Sequence, residues 1–287
     1  MQNQKYTIKR FFNFICSELS GIYEYRECKS IALTFMEAML NIKRDKIPLH
    51  FNDPIQDDKI ILLNSGLKEL IKGRPIQQVI GKTEFYGLEF MINENVLIPR
   101  PETEGLVDRI IKENTKQNPS ILDIGTGSGC IAISLAKNIP CASVYASDNS
   151  KKALEIASVN CIHNEVKVQF IQNNILESPL PFKKYDIIVS NPPYVRKSEK
   201  NKLHKNVVAF EPEDALFVPD ADPLVFYQKI AERGQYMLFE GGLLYFEINE
   251  FLGKEIMELL NVMDYSNILI RKDLHNKDRF IRAEYAV

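Results

Sequence analysis

Ile121-Leu122-Asp123-Ile124-Gly125-Thr126-Gly127-Ser128-Gly129 decides the fold. Its first residues form a short apolar run of strand length, and the chain beyond Gly129 takes up a helical pattern over 130–137. Glycines at alternate positions let the backbone turn sharply and let a ligand approach main-chain N–H groups at the helix N-terminus. The chain on either side continues the alternation. Strands are expected at 120–124, 143–147, 168–171, 185–189, 243–248, 267–270 and 279–285, with helices around 151–163, 223–238 and 250–263. This order implies an α/β domain with a seven-stranded, mostly parallel sheet covered by helices on both faces.

Upstream, 102–112 reads as a helix with Pro101 near its start and acidic residues in its first turn. Over 76–98 the pattern becomes short extended segments, Thr83-Glu84-Phe85-Tyr86 and Leu88-Glu89-Phe90-Met91-Ile92, around Gly87. Residues 75–98 are therefore expected to form a β-hairpin connector. Before it, Ile8, Phe11, Phe12, Ile15 and Leu19 recur at helical spacing, as do Cys28, Ala32, Phe35, Met36 and Met39, and then Ile60, Leu63, Leu67, Leu70 and Ile71. The expected division is a helical bundle over 1–74, the connector, and the α/β domain over 99–287.

Composition narrows the class. The 287 residues are 45% hydrophobic, enough for two ordinary cores, and the net charge of -2 gives no overall basic field, so direct DNA binding is not expected. Five cysteines show no CxxC pair and no zinc-type spacing with the four histidines, so they read as reduced thiols and no metal site is expected. Lys9 and Arg10 before Phe11-Phe12-Asn13-Phe14-Ile15-Cys16 resemble the start of a signal peptide, but Asn13 and Ser17-Glu18 interrupt the apolar run. No run approaches the ~20 apolar residues of a membrane span. The expectation is a cytoplasmic protein without a membrane partner.

The glycines alone are compatible with a plain connecting turn. Asp148 adds a second feature, an acid at the end of the next strand roughly 20 residues on, where a carboxylate can take both ribose hydroxyls. Together they point to an adenosine-containing cofactor, either a nicotinamide dinucleotide or S-adenosylmethionine. The Gly-x-Gly-x-Gly spacing departs from the dinucleotide Gly-x-Gly-x-x-Gly and leans toward S-adenosylmethionine.

Ser190-Asn191-Pro192-Pro193-Tyr194 follows the apolar run 185–189, where a buried strand runs out into solvent. An amide nitrogen is a poor nucleophile because its lone pair is delocalised. To attack a sulfonium methyl group it must be held in line, its hydrogens donated to fixed acceptors that stabilise the developing positive charge. Asn191 offers a side-chain carbonyl and Pro192 a main-chain carbonyl restricted by Pro193, while Tyr194 can pack on a planar amide or base. An exocyclic adenine amine would suit the same arrangement, and a rigid proline-rich loop is the non-catalytic alternative.

The motif 123–129, Asp148 and 191–194 resemble the cofactor loop, ribose-binding acid and catalytic motif of amino-methylating class I (Rossmann-like) methyltransferases. Gly73-Arg74-Pro75-Ile76, Leu97-Ile98-Pro99-Arg100-Pro101-Glu102-Thr103-Glu104 and Phe210-Glu211-Pro212 further resemble the PrmC/HemK family. That family methylates the glutamine of the Gly-Gly-Gln motif in peptide-chain release factors, and its N-terminal helical domain helps dock the factor. The resemblance implies S-adenosylmethionine cradled by Gly125, Thr126, Gly127, Ser128 and Gly129, with its ribose on Asp148 and its adenine bordered by Asn174 and Ile175. Asn191, which would also contact the cofactor, and Pro192 would accept the glutamine hydrogens; Asn191, Pro192 and Tyr194 would form the catalytic set, with Pro193 and Tyr194 also binding the substrate and Arg100 and Glu211 shaping its entrance. Two positions depart from the family: Asn174 replaces the usual Asp, and Asn249 replaces a Gly. Neither change touches the catalytic amide, so altered cofactor affinity is the most that is expected. The rivals are an adenine-N6 nucleic-acid methyltransferase and a cofactor-binding module without turnover.

The segment 196–219 has no clear periodicity and is long for a connection, which marks it as a functional loop. Its basic cluster Arg196-Lys197-Ser198-Glu199-Lys200-Asn201-Lys202 reads as a solvated face or as a contact for acidic surface on a partner.

Overall fold

A computed structural model describes residues 6–178, 180 and 183–286, so residues 1–5, 179, 181, 182 and 287 of the expected domains lie outside the described residues. The chain divides into two compact units. One holds the chain up to Lys82 together with His204–Phe210, and the other holds Thr83–Leu203 together with the chain from Glu211 onward.

The first unit is helical. Helices α1 (Ile8–Leu19), α2 (Tyr25–Leu40) and α3 (Asp57–Ile71) bury the stripes seen in the sequence. Phe11, Ile15 and Leu19 of α1 join Cys28, Phe35 and Met36 of α2 and Leu63, Leu67 and Leu70 of α3 in one core. The hydroxyl of Thr7 caps α1 by accepting from the Arg10 N–H at 3.3 Å. A short helix α4 (Ile76–Ile80) corrects the extended reading of 76–80. Pro75 leads into it and Gly81, at φ +81°, ends it, so its five residues are too few to display a helical period.

The second unit begins within β1 (Lys82–Phe85), which pairs with β2 (Leu88–Met91) in a two-stranded sheet across Tyr86 and Gly87, which have φ of +50° and +71°. Two positive-φ residues in a two-residue loop match the right-handed twist of a hairpin. Next come α5 (Pro101–Glu113), β3 (Ser120–Ile124), α6 (Cys130–Asn138), β4 (Ser143–Asp148), α7 (Lys151–His163), β5 (Val168–Gln172) and β6 (Tyr185–Ser190). The chain continues through β7 (Val195–Arg196), α8 (Lys205–Phe210, within the helical unit), β8 (Phe217–Val218), α9 (Val225–Met237), β9 (Leu238–Glu247), α10 (Gly253–Asn261), β10 (Tyr265–Lys272) and β11 (Asp278–Tyr285).

Seven strands form one sheet in the order β10-β11-β9-β6-β3-β4-β5, and β11 alone runs antiparallel to its neighbours. Alternate side chains of a strand point to opposite faces, and both faces here are buried. Leu122, Ile188 and Leu244 pack with Tyr227, Ile230, Ile256 and Leu260 on one side. Ile121, Ile187, Val189 and Tyr245 pack with Leu106, Ile110, Ile131 and Leu135 on the other. β9 starts five residues earlier than expected. Gly241-Gly242 weakens the strand signal there, and a register shift against β6 between Tyr185 and Ile187 accommodates the glycines.

The strand order reverses at β3, whose neighbours are β4 on one side and β6 on the other. In open α/β sheets that reversal leaves a crevice beyond the strand C-termini. The segment 196–219 is more ordered than its sequence signalled. It contains 3-10 turns at Lys197–Lys202 and Glu213–Ala215, the α8 turn, and the paired β7 and β8, each too short to give a period. No helix among the described residues is long and apolar enough to cross a membrane.

Candidate active site

The crevice at the switch point measures about 790 Å³. It is lined from the glycine loop by Gly125 and Gly127, from the end of β4 by Asp148, and from the end of β6 by Asn191, Pro192 and Pro193. Asn174 and Ile175 line it from the chain after β5, and Pro212, Phe217 and Phe226 from the chain after α8. The two central motifs are neighbours because Ile124 and Ser190 are register partners at the ends of parallel strands. The loops that follow them emerge side by side.

Gly125 and Gly127 have φ of +75° and +54°, and nothing lies within 4 Å of where a Cβ would stand at either. A side chain there would project into open space, so the bare backbone leaves a cradle for a ligand. The Gly125 and Thr126 N–H groups donate to the Ser147 carbonyl, Gly127 to Asp148 Oδ2 at 2.9 Å, and Gly129 to the Thr126 carbonyl. The loop must hold its own tight turn, and those bonds do so.

Thr126 and Ser128 are buried, and the Thr126 hydroxyl donates to Asp123 Oδ2 at 2.6 Å. Burial pushes Asp123 up to about 7. These side chains therefore brace the loop from within. Gly129 packs against α7, where an added Cβ would come within 3.2 Å of the Ala157 Cβ.

Asp148 accepts from the Gly127 N–H with one oxygen and from the Ser150 N–H with the other, each at 2.9 Å. Each oxygen of an ionised carboxylate has a further lone pair, so two ribose hydroxyls can still be accepted from the crevice side. Burial raises the Asp148 pKa. Asn174 uses its side-chain oxygen to accept the Leu176 N–H at 3.1 Å, which fixes the turn after β5 beside the crevice. An adenosine-type ligand fits this set of donors and acceptors and the open backbone at Gly125 and Gly127.

At the other wall, Pro192 is buried, and Pro193 restricts the backbone that presents the Pro192 carbonyl. The Asn191 Nδ2 donates to Thr103 Oγ1 at 3.3 Å, and Thr103 donates onward to Glu247 Oε2 at 2.7 Å. Thr103 and Glu247 are each 2% exposed. Tyr194 turns toward the same acid, its hydroxyl donating to Glu247 Oε1 at 3.4 Å while its ring packs on the core. Tyr194 is not among the residues that line the crevice, and its hydroxyl braces Glu247. Burial raises both the tyrosine and Glu247, the latter to about 7.

Arg100 and Glu211 pair with each other. The Arg100 Nη2 donates to Glu211 Oε1 at 2.6 Å, and the Ile98 N–H donates to Oε2 at 3.1 Å. The Glu211 side chain is fully buried, so the pair ties 98–100 to the start of the crevice-lining stretch at Pro212.

Two contributors escaped the sequence reading as site residues, Thr103 and Glu247. An acid ending the apolar run Tyr245-Phe246-Glu247 was the available signal. A third is Asn160, fully buried on α7. It donates to the Met91 and Ser128 carbonyls at 2.9 Å and accepts the Met91 N–H at 2.6 Å, joining β2 to the glycine loop.

Comparison with known proteins places this geometry. The family described as methyltransferase small domain matches residues 102–213. A methyltransferase from Pyrococcus furiosus has the same fold, with a TM-score of 0.52 over 81% of this chain and all of its own at 16% identity. The release factor glutamine methyltransferase of Bacteroides thetaiotaomicron is 42% identical over 96% of this chain and 99% of its own length. That of Flavobacterium psychrophilum is 47% identical over 97% and 99%. At such identity over nearly the full length of both chains, this chain belongs to the family of release factor glutamine methyltransferases.

Proposed function

We infer that the protein methylates the side-chain amide nitrogen (N5) of the glutamine in the Gly-Gly-Gln motif of peptide-chain release factors, using S-adenosylmethionine. The observation that carries this reading is the placement of Asn191 and Pro192 in one crevice with Gly125, Gly127 and Asp148. When bound, S-adenosylmethionine supplies an electrophilic methyl group on a sulfonium that is already a good leaving group.

The protein's share is binding and orientation. Asp148 takes the ribose hydroxyls, the backbone at Gly125 and Gly127 admits the methionine part, and Asn174 and Ile175 border the adenine. Thr126, Ser128 and Gly129 keep the loop in shape. Asn191 Oδ1 and the Pro192 carbonyl accept the two hydrogens of the glutamine amide. With both hydrogens held, the nitrogen lone pair stands perpendicular to the amide plane and faces the donor site. The positive charge growing on nitrogen is met by two oxygens already in place. A proton can leave after attack, when its acidity has risen, so no strong general base is required.

The Arg100–Glu211 pair shapes the entrance, the helical unit docks the release factor, and the protein works in the cytoplasm where translation termination occurs. Purified protein with methyl-labelled S-adenosylmethionine should label a release factor and leave a factor with its Gly-Gly-Gln glutamine replaced unlabelled. Equal labelling of the two overturns the reading.

A further inference from the structure

Thr103 lies in the first turn of α5 and bonds to two groups at once, Asn191 Nδ2 at 3.3 Å and Glu247 Oε2 at 2.7 Å. A hydroxyl has a single hydrogen. The ionised Glu247 carboxylate only accepts, so with Glu247 ionised the shorter contact takes that hydrogen, and the Thr103 oxygen is left with lone pairs alone. It can face an N–H of Asn191 but not its carbonyl oxygen. The side-chain amide is planar, with nitrogen and oxygen on opposite arms, so an inward nitrogen sets the oxygen outward. Among the described residues no donor hydrogen-bonds to that oxygen, and Asn191 lines the crevice.

We propose that Thr103 is a positioning residue: its hydroxyl, held by Glu247, locks the Asn191 amide in the one orientation that presents an acceptor to the substrate NH2 group. The inference rests on the reading of Asn191 as the acceptor of substrate hydrogens. A flipped amide would present its own NH2 to an incoming NH2, two donors facing each other, and the in-line geometry would be lost. Glu247 is itself held on both oxygens, by Thr103 and by the Tyr194 hydroxyl, so the chain of bonds is anchored in the protein interior.

Thr103→Val keeps the shape and removes the hydroxyl, and Thr103→Ser keeps the hydroxyl and loses a methyl. Thr103→Val should lower kcat about 10- to 100-fold, with KM and S-adenosylhomocysteine affinity changed by less than about threefold, and Thr103→Ser should recover most of the rate. A rate for Thr103→Val within about twofold of the parent, or equal loss in Val and Ser, overturns the proposal. A second readout does not depend on turnover. In amide NMR spectra of the full chain, one Asn191 side-chain proton should be protected from exchange in the parent and in Thr103→Ser but not in Thr103→Val. If the parent methylates no release factor, the proposed function fails while the spectra still decide the orientation. Unprotected Asn191 protons in the parent overturn the orientation itself.

Discussion

The Ser190 hydroxyl donates to the Ile124 main-chain carbonyl at 2.7 Å, joining the ends of the two strands from which the glycine loop and Asn191 depart. Ser190 is fully buried, so the bond is made away from water. Ser190→Ala should cost about 1 kcal/mol in chemical denaturation and lower kcat modestly, by loosening the register of two loops that must act on one substrate. An unchanged unfolding midpoint would show that the strand ladder holds this junction unaided.

Asn191→Ala, one residue on, should behave differently. It removes the acceptor and leaves the fold, so transfer should fall by about 10²- to 10³-fold while S-adenosylhomocysteine binding stays within a few-fold. Calorimetry paired with the labelling assay separates the two effects. Parallel loss of binding and rate would place Asn191 in the cofactor site instead.

Asp148 anchors the loop and faces the crevice with the same two oxygens. Asp148→Asn puts an NH2 against either the Gly127 or the Ser150 N–H and removes the charge that favours hydroxyl donors. The dissociation constant for S-adenosylhomocysteine should rise by about 10- to 100-fold, with the release factor KM little changed. Unaltered cofactor affinity would reduce Asp148 to a turn-former.

These residues were legible because their chemistry is local. A glycine run, an acid at the end of the next strand and an amide after a buried strand each announce themselves within a few positions, and the alternating pattern assigns the strands to one sheet. What brings Thr103 to Glu247 is tertiary. They are 144 residues apart, on the first turn of α5 and the last residue of β9. Asn160 was hidden for a related reason, since one polar residue on an amphipathic helix reads as surface until β2 closes over it. The helix α4 and the turns within 197–215 were hidden by brevity, because periodicity needs more residues than they contain.

Glu211 tests how far a buried pair outside the crevice matters. Glu211→Ala leaves the Ile98 N–H and part of the Arg100 guanidinium without their acceptor, and should destabilise the fold by about 2 kcal/mol. Glu211→Gln can still accept from one of them and should lose less. If the pair shapes the entrance, both should raise the release factor KM more than the cofactor dissociation constant. Loss of stability with unchanged KM would mark the pair as scaffold.

Glu247 gives the fold and the reaction opposite pH preferences. Burial, opposed by the Thr103 hydrogen bond and Arg279, carries it from 4.5 to about 7. The groups around it are Thr103 and Glu102 on α5, Tyr194 after β6, Arg279 on β11, and Tyr227 on α9, whose hydroxyl donates to its main-chain carbonyl. Between 4.5 and about 7 the folded chain holds a proton that the unfolded chain has released, so the stability Glu247 contributes is full below that window and is lost as pH rises through it. Asp123, also pushed up to about 7, acts with the same sign, so the effect is isolated by comparing the parent with Glu247→Gln. The melting temperature of the parent should fall more steeply than that of the variant across the window. The rate should run the other way. Only the ionised acid compels Thr103 to donate inward, so parental kcat should fall as pH drops below about 7, while Glu247→Gln should be slower above that point and nearly flat. Parallel melting curves in the two proteins would remove Glu247 from the stability account. A parental kcat independent of pH between 5 and 8 would break the link from Glu247 through Thr103 to Asn191.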